Sequence, residues 1–160
     1  MTAALNPDYI EAVRGVLLKT PYFNLIGMEL AELASGRCSF RLRTAECHLQ
    51  PFGVIHGGVL ASILDAACFW AVFTELERDV SLTTIDLKIN YLAPAPAGMD
   101  LDVRGESIRM GRTLGLSRAE ARENGTGRMI GFATSTLMVV DHPEENGLSG
   151  LPDKFVGRKG

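Results

Sequence analysis

The spacing of apolar residues along the chain first follows the period of a helix. Asn6 and Pro7 are typical of a helix start, and apolar side chains then recur every three or four positions. Pro21 is typical of a helix end. We therefore predict an N-terminal helix at about residues 7–19.

Beyond Gly27 the pattern changes to alternating apolar and polar positions, which is typical of strands with one exposed face. Two short strands flank a predicted turn at Ser35-Gly36. Four more are predicted at about Ser81 to Tyr91, Met99 to Arg109, Thr113 to Arg122 and Arg128 to Val140. In the first of these four, alternation predicts one face with Ile85, Leu87, Ile89 and Tyr91, and an opposite face with Thr84, Asp86, Lys88 and Asn90.

Between the two groups of strands lies a stretch, at about residues 57–74, in which nearly every side chain is apolar. A helix that is apolar on all sides must be surrounded by other structure. Its length approaches that of a membrane span, which is the alternative interpretation. Asp65 at its centre, the lack of flanking excess Lys or Arg and the strand-rich remainder favour a helix buried in a soluble core.

The order of elements predicts an α+β fold in which one antiparallel sheet of about six strands curls around the apolar helix. At 160 residues, of which 46% are apolar, the chain can form one domain with its own core. We place that domain at residues 1–140. The remainder, 141–160, is rich in Gly, Pro and charge, and is predicted to be mobile or to lie on the surface.

Composition excludes several classes of function. A formal net charge of -3 gives no reason to expect nucleic-acid binding. Three cysteines without a C-x-x-C pair indicate neither a disulfide framework nor a zinc site, and His48, His56 and His142 have no metal-ligand spacing. We therefore expect no metal. The N-terminal residues lack the pattern of a signal peptide, so a reducing, cytoplasmic location is predicted.

Candidate chemistry is concentrated in the apolar helix. Gly57 and Gly58 leave backbone N–H groups at its start, where the helix dipole favours an oxygen that acquires negative charge. Asp65 is a carboxylate in an apolar setting; alternatively it is a structural acid bonded to Ser62. Eight residues separate Gly57 from Asp65, or roughly 12 Å along a helix. If both residues serve one site, two antiparallel helices of a homodimer must supply them.

The motif His56-Gly57-Gly58, six residues, then Asp65 resembles that of the PaaI-like acyl-CoA thioesterases of the hotdog superfamily. The resemblance extends from about Gly27 to Val140. It includes Gly53, the segment from Thr84 to Pro94, and Gly111-Arg112-Thr113-Leu114. It implies the hotdog fold and hydrolysis of an acyl-CoA thioester to a carboxylic acid and free CoA.

The resemblance also implies a role for each matching residue. Asp65 is the general base or nucleophile, and the Gly57 N–H polarises the thioester carbonyl. His56 supports this loop, Gln50 holds the hydrolytic water and Thr84 lies near the carboxylate. For His56 we favour this loop-fixing role over that of a general base. Structural alternatives remain for the other two, because Gln50 also fits a loop residue bonded to backbone and Thr84 an ordinary strand threonine.

Substrate contacts are expected at the start of the apolar helix and at turns. Gly58 lies beside the polarising N–H, and Phe52 is a candidate for shaping the acyl pocket. Arg109, Arg112 and Thr113 are candidates for binding the CoA phosphates, although surface arginines need no ligand.

The resulting hypothesis is a thioesterase that needs no metal or redox cofactor and forms a dimer or a dimer of dimers. The strand from Ser81 to Tyr91 is predicted to pair subunits. An enoyl-CoA hydratase and a non-catalytic acyl-CoA-binding module are the alternatives. The sequence does not name the acyl group.

Overall fold

A computed structural model describes residues 4–76, 80–141 and 147–157. Three α-helices and six strands follow one another in the chain: α1 (Pro7–Leu17), α2 (Pro21–Ile26), β1 (Met28–Ala34), β2 (Arg37–Arg43), α3 (Gly57–Phe73), β3 (Val80–Tyr91), β4 (Asp100–Met110), β5 (Leu114–Glu123) and β6 (Met129–Asp141). One turn of 3₁₀ helix, Glu46–His48, lies before α3. The strands form one antiparallel sheet in the order β1-β2-β4-β5-β6-β3. The predicted hotdog architecture is confirmed.

The apolar helix α3 lies directly on the sheet that surrounds it. A Cβ atom at Gly105 in β4 would lie 2.1 Å from the Ala67 carbonyl oxygen of α3. Gly115 in β5 and Gly131 in β6 approach α3 side chains in the same way, with distances of 2.5 and 2.7 Å for an added Cβ. Three neighbouring strands therefore lack side chains where the helix packs, and this fixes the position of α3.

Strand β3 contains a bulge that corrects the predicted faces. Thr84 pairs with Leu137 and Asp86 with Thr136, so Ile85 is the extra residue. The extra residue shifts the alternation of inner and outer side chains by one position beyond it. Thr84 therefore lies on the α3 side together with Leu87 rather than with Asp86. Ile85 itself is exposed. The prediction that Ile85 shares a face with Leu87, and Thr84 with Asp86, was therefore wrong.

The N-terminal segment has one helix more than the sequence pattern predicted. Helix α1 ends at Leu17, and Pro21 begins a second, six-residue helix instead of ending helical structure. The Asn24 side-chain amide donates to the Leu18 carbonyl oxygen at 2.8 Å and holds the corner between the two helices. Gly27 ends α2 with a φ of 65°, a conformation that glycine adopts without strain.

The described part of the tail packs against both the N-terminus and α3. Residues 154–156 pair with residues 4–6 through a bridge between Leu5 and Phe155. Lys154 is buried, and its ammonium group donates to the Phe73 carbonyl oxygen at the end of α3. A cation favours this end of a helix dipole. These contacts attach the described part of the tail to the domain; residues 142–146 and 158–160 lie outside the described part.

Candidate functional site

The start of α3 presents a free backbone donor. His56 caps the helix, because its Nδ1 accepts from the Gly58 N–H at 2.8 Å. Its carbonyl oxygen accepts from the Val59 N–H at 3.0 Å. The Gly57 N–H makes no hydrogen bond to another described residue. The capping geometry thus leaves Gly57 as the donor directed away from the helix, at the positive end of its dipole.

Tyr91 lies beside this donor and explains why residue 57 is glycine. The Tyr91 hydroxyl donates to the Gly57 carbonyl oxygen at 3.2 Å. A Cβ atom on Gly57 would lie 3.1 Å from the Tyr91 ring, which is closer than ordinary packing allows. Gly57 and Tyr91 line a pocket of about 430 Å³ together with Leu60, Ile130, residues 54–55 and residues 92–95.

Asp65 is half-buried in the middle of α3 and has a hydroxyl partner from the sheet. The Thr84 hydroxyl donates to Asp65 Oδ1 at 3.0 Å. Burial raises the pKa of the Asp65 carboxyl group above its usual range, and the hydrogen bond from Thr84 acts in the opposite direction. Ser62 is not its partner, because the Ser62 hydroxyl donates to the Gly58 carbonyl oxygen at 2.8 Å. The structural interpretation of Asp65 as an acid bonded to Ser62 is therefore excluded.

Asp65 opens onto a second pocket, of about 320 Å³. Its lining is mostly apolar and aromatic and comes from α3, the N-terminal helices and β1: Leu17, Tyr22, Phe23, Met28, Ser62, Asp65, Ala66, Phe69 and Trp70. Cys68 is buried one turn from Asp65, and burial raises the pKa of its thiol to about 12. A thiol that stays protonated at neutral pH is a packing residue rather than a nucleophile.

The structure places the two central candidates in different pockets. Gly57 lines the first pocket and Asp65 the second, with two turns of α3 between them. At 1.5 Å per residue their separation along the helix is roughly 12 Å. One thioester carbon cannot contact both groups in a single chain.

Gln50 and Phe52 lie in the loop before α3, and neither lines these two pockets. The Gln50 side-chain carbonyl accepts from the Phe52 N–H at 2.6 Å, so this end of Gln50 stabilises its own loop. The Phe52 side chain is 90% exposed. In the single chain, both residues are therefore separate from Asp65.

The predicted phosphate-binding residues are far from the start of α3. Arg109 ends the exposed face of β4, and Arg112 and Thr113 form the turn that leads into β5. This turn is next to Gly115, which packs against Val72 near the end of α3. All three residues are exposed, and neither arginine has an ion pair with another described residue. They form an accessible basic turn at the end of α3 opposite to Gly57.

Sequence reasoning missed Tyr22 and Ser62 as residues of the Asp65 pocket. Tyr22 follows Pro21, and Thr20-Pro21 also fits the start of a second helix, a signal that was available. Ser62 was considered only as a partner of Asp65, whereas the structure pairs its oxygen with the Tyr22 hydroxyl at 2.6 Å.

Neither a membrane-spanning helix nor a cluster of potential metal ligands is found among the described residues. The described helices include none that is long and apolar enough to cross a membrane. Within residues 4–76, 80–141 and 147–157, no three potential metal ligands lie together. His142, one of the histidines considered above, lies outside these ranges.

Known proteins resemble the chain in sequence. The family model described as the thioesterase superfamily matches residues 52–130. A putative esterase from Halobacterium salinarum is 30% identical over 120 residues, which cover 72% of this chain and 74% of that protein. Acyl-coenzyme A thioesterase 13 from Homo sapiens is 24% identical over 121 residues, 75% of this chain and 86% of that one.

Solved structures resemble the chain in architecture. A thioesterase family protein from Silicibacter pomeroyi has a TM-score of 0.76 at 29% identity, covering 84% of this chain and 99% of that one. The E. coli PaaI protein has a TM-score of 0.74 at 15% identity, covering 81% and 91%, which is a likeness of fold. Sequence and architecture agree, and the chain therefore belongs to the thioesterase superfamily as a thioester hydrolase, with a hotdog fold like that of PaaI.

Proposed function

We propose that the protein hydrolyses acyl-CoA thioesters to a carboxylic acid and free CoA, with Asp65 of one subunit and the Gly57 N–H of its partner at one carbonyl group. The observation that supports this most directly is the state of Asp65, a half-buried carboxylate with a hydroxyl donor that opens onto an apolar pocket. A carboxylate in such a setting is costly to retain for packing alone. Curated relatives are named as acyl-coenzyme A thioesterases.

Two routes are open to an ionised Asp65. As a general base, it accepts a proton from water while the water oxygen bonds to the thioester carbon. The tetrahedral intermediate then expels the CoA thiolate, which takes that proton from Asp65. As a nucleophile, Asp65 forms a mixed anhydride with release of CoA, and water hydrolyses the anhydride. In both routes the Thr84 hydroxyl stabilises the charged carboxylate, and no reactant besides water is needed.

The Gly57 N–H is the proposed donor to the carbonyl oxygen, which gains negative charge in either route. It is unpaired among the described residues and lies at the positive end of the α3 dipole. Gly58 permits close approach on the same side, and His56 holds the turn by capping it. This arrangement needs Asp65 from a second chain, because roughly 12 Å separates the two residues in one chain.

Strand β3 is the proposed site of dimer pairing. It is 12 residues long and lies at one edge of the sheet, so its outer backbone groups have no partner strand among the described residues. Pairing of two β3 strands would continue the sheet and bring the α3 helices side by side in opposite directions. Two such dimers would give the expected tetramer.

The basic turn is the proposed contact for the CoA phosphates. Arg112, Thr113 and Arg109 lie near the end of α3, where an antiparallel partner helix would begin. Gln50 and Phe52 are proposed to reach the substrate in the assembled dimer, through the side-chain amide of Gln50 and the exposed ring of Phe52. A cytoplasmic location remains a prediction from the sequence.

The test is release of free thiol from a panel of aryl, short-chain and long-chain acyl-CoAs. We expect the purified protein to release CoA from some of them, and sedimentation to show a dimer or tetramer. Hydration of crotonyl-CoA without thiol release would favour a hydratase, and tight acyl-CoA binding without turnover would favour a binding module. A monomer that hydrolyses acyl-CoA would contradict the shared site.

A further inference from the structure

The pocket beside Asp65 is a groove between α3 and the N-terminal elements. On one side, Ser62, Asp65, Ala66, Phe69 and Trp70 share one face of α3. On the other side, α1, α2 and β1 contribute Leu17, Tyr22, Phe23 and Met28. From Ser62 to Trp70 the groove extends roughly 12 Å along the helix, with Asp65 between its two ends.

Tyr22 closes the end of the groove that lies towards the start of α3. Its hydroxyl lies 2.6 Å from Ser62 Oγ. Because the Ser62 proton is donated to the Gly58 carbonyl oxygen, Tyr22 is the donor in this bond. Helix α2 is anchored to strand β2, because the Phe23 ring meets the Phe40 ring edge-on at a centroid distance of 6.0 Å. The Tyr22 ring is thus held between α2 and α3.

Aromatic side chains close the other end. Phe69 stacks on Phe73 at a centroid distance of 5.5 Å, and Trp70 meets Phe73 edge-on at 5.2 Å. The Lys154 ammonium group lies 4.1 Å from the centroid of the Phe73 ring, on the side of the tail. This end of the groove is therefore supported by stacked rings and by the packed tail.

On the basis of the proposed hydrolysis of acyl-CoA, we propose that this groove holds the acyl group and that Tyr22, positioned by Ser62, limits its size. The proposed reacting carboxylate faces the middle of the groove, and the remaining lining is largely apolar, which suits the acyl substituent rather than the polar nucleotide. Tyr22 is therefore a specificity-determining residue, and Ser62 is the residue that positions it.

The size of the groove sets the substrate class. A closed apolar cavity of about 150 Å³ holds one benzene molecule. A groove of about 320 Å³ accordingly has room for one ring with a short linker, or for a chain of medium length. The proposal therefore assigns compact acyl groups to this enzyme and excludes long straight chains while Tyr22 is in place.

The test compares kcat/KM for phenylacetyl-CoA, octanoyl-CoA and palmitoyl-CoA. The unaltered enzyme should prefer the first two. Tyr22→Ala should raise the palmitoyl to phenylacetyl ratio at least tenfold, because each additional buried methylene contributes about fourfold, or ~0.8 kcal/mol. Tyr22→Phe and Ser62→Ala both remove the hydrogen bond between these two side chains and keep the ring, so both should shift the ratio in the same direction by a smaller factor. Leu25→Ala, at an exposed position of α2, is the matched control and should leave the ratio unchanged.

The outcomes separate the two proposals. If the unaltered enzyme hydrolyses acyl-CoA but Tyr22→Ala keeps its acyl preference, or if palmitoyl-CoA is already preferred, the role of Tyr22 is refuted and the proposed function stands. If none of the three substrates releases thiol, both proposals fail. If Tyr22→Ala does not fold, Tyr22→Phe and Ser62→Ala decide: matching shifts support the proposal, and unchanged ratios overturn it.

Discussion

Replacement of Asp65 by asparagine separates catalysis from stability. Asn keeps the size of the side chain, and its carbonyl oxygen can still accept the hydrogen bond that Thr84 donates at 3.0 Å. The substitution removes only the charge and the ability to accept a proton. Proton transfer by a positioned side chain contributes about 10²- to 10⁴-fold to a rate. We therefore expect Asp65→Asn to lower kcat by a hundredfold or more, about 3 kcal/mol in barrier height.

The same substitution should stabilise the fold at neutral pH. Burial raises the pKa of Asp65 in the folded state, so the folded protein holds this proton more tightly than the unfolded chain does. Stability that is present below the unfolded pKa is then lost as pH rises through the folded pKa. At pH 7, which lies well above the unfolded pKa, burial of Asp65 therefore costs stability, and asparagine restores it. The gain in Tm should disappear in acid, where the aspartate is neutral.

The assay is thiol release under saturating substrate, with thermal melts of the same preparations at pH 7 and in acid. A well-folded Asp65→Asn enzyme of full activity would refute the mechanism. A Tm that falls equally at both pH values would show that Asp65 serves the fold through its contacts.

Three further predictions concern separate parts of the molecule. Thr84→Val removes the donor that favours ionised Asp65, so the pKa of Asp65 should rise further and the acidic limb of the kcat/KM profile should move to higher pH. Thr84→Ser should retain the original profile, and an unmoved limb in the valine variant would contradict this role. Arg112→Ala should raise KM for acyl-CoA with little change in kcat and leave small thioesters without the nucleotide unaffected, whereas equal losses for both would indicate a structural role. Gly105→Ala places a Cβ 2.1 Å from a carbonyl oxygen of α3 and should lower the free energy of unfolding, measured in urea, by about 3 kcal/mol. Gly15→Ala in α1 is the control, because a Cβ there meets nothing within 4 Å, and it should raise the free energy of unfolding. An unchanged urea midpoint for Gly105→Ala would show that α3 can shift freely.

The architecture could be predicted because the apolar pattern changes clearly between elements. The run from Gly57 was predicted to end near residue 74, and α3 ends at Phe73. A helix that is apolar on every side and a strand-rich remainder permit few arrangements. Helix α2 escaped prediction because six residues are too few to show a helical period. The buried Lys154 was unexpected because composition describes a charged tail as solvated, whereas here the end of a helix and aromatic rings receive the charge.

The candidate site was only partly predictable. Helix geometry alone predicted that Gly57 and Asp65 of one chain cannot contact the same reacting carbon. The pairing of Asp65 with Thr84 was not available from the pattern, because simple alternation turns Thr84 away from the side of Leu87. Tyr22 was equally hidden, since its contact with Ser62 joins residues 40 positions apart.

The bulge at Ile85 also determines how β3 tolerates a change in chain length. Ile85 is the residue that has no opposite partner on β6, while Thr84 and Leu87 on either side of it both face α3. Loss of Ile85 would leave a regular strand in which those two residues keep their faces. Loss of a paired residue elsewhere in β3 would exchange the inner and outer faces of everything beyond it. A homologous chain can therefore lack the residue at position 85 and still direct the hydroxyl of residue 84 to the helix.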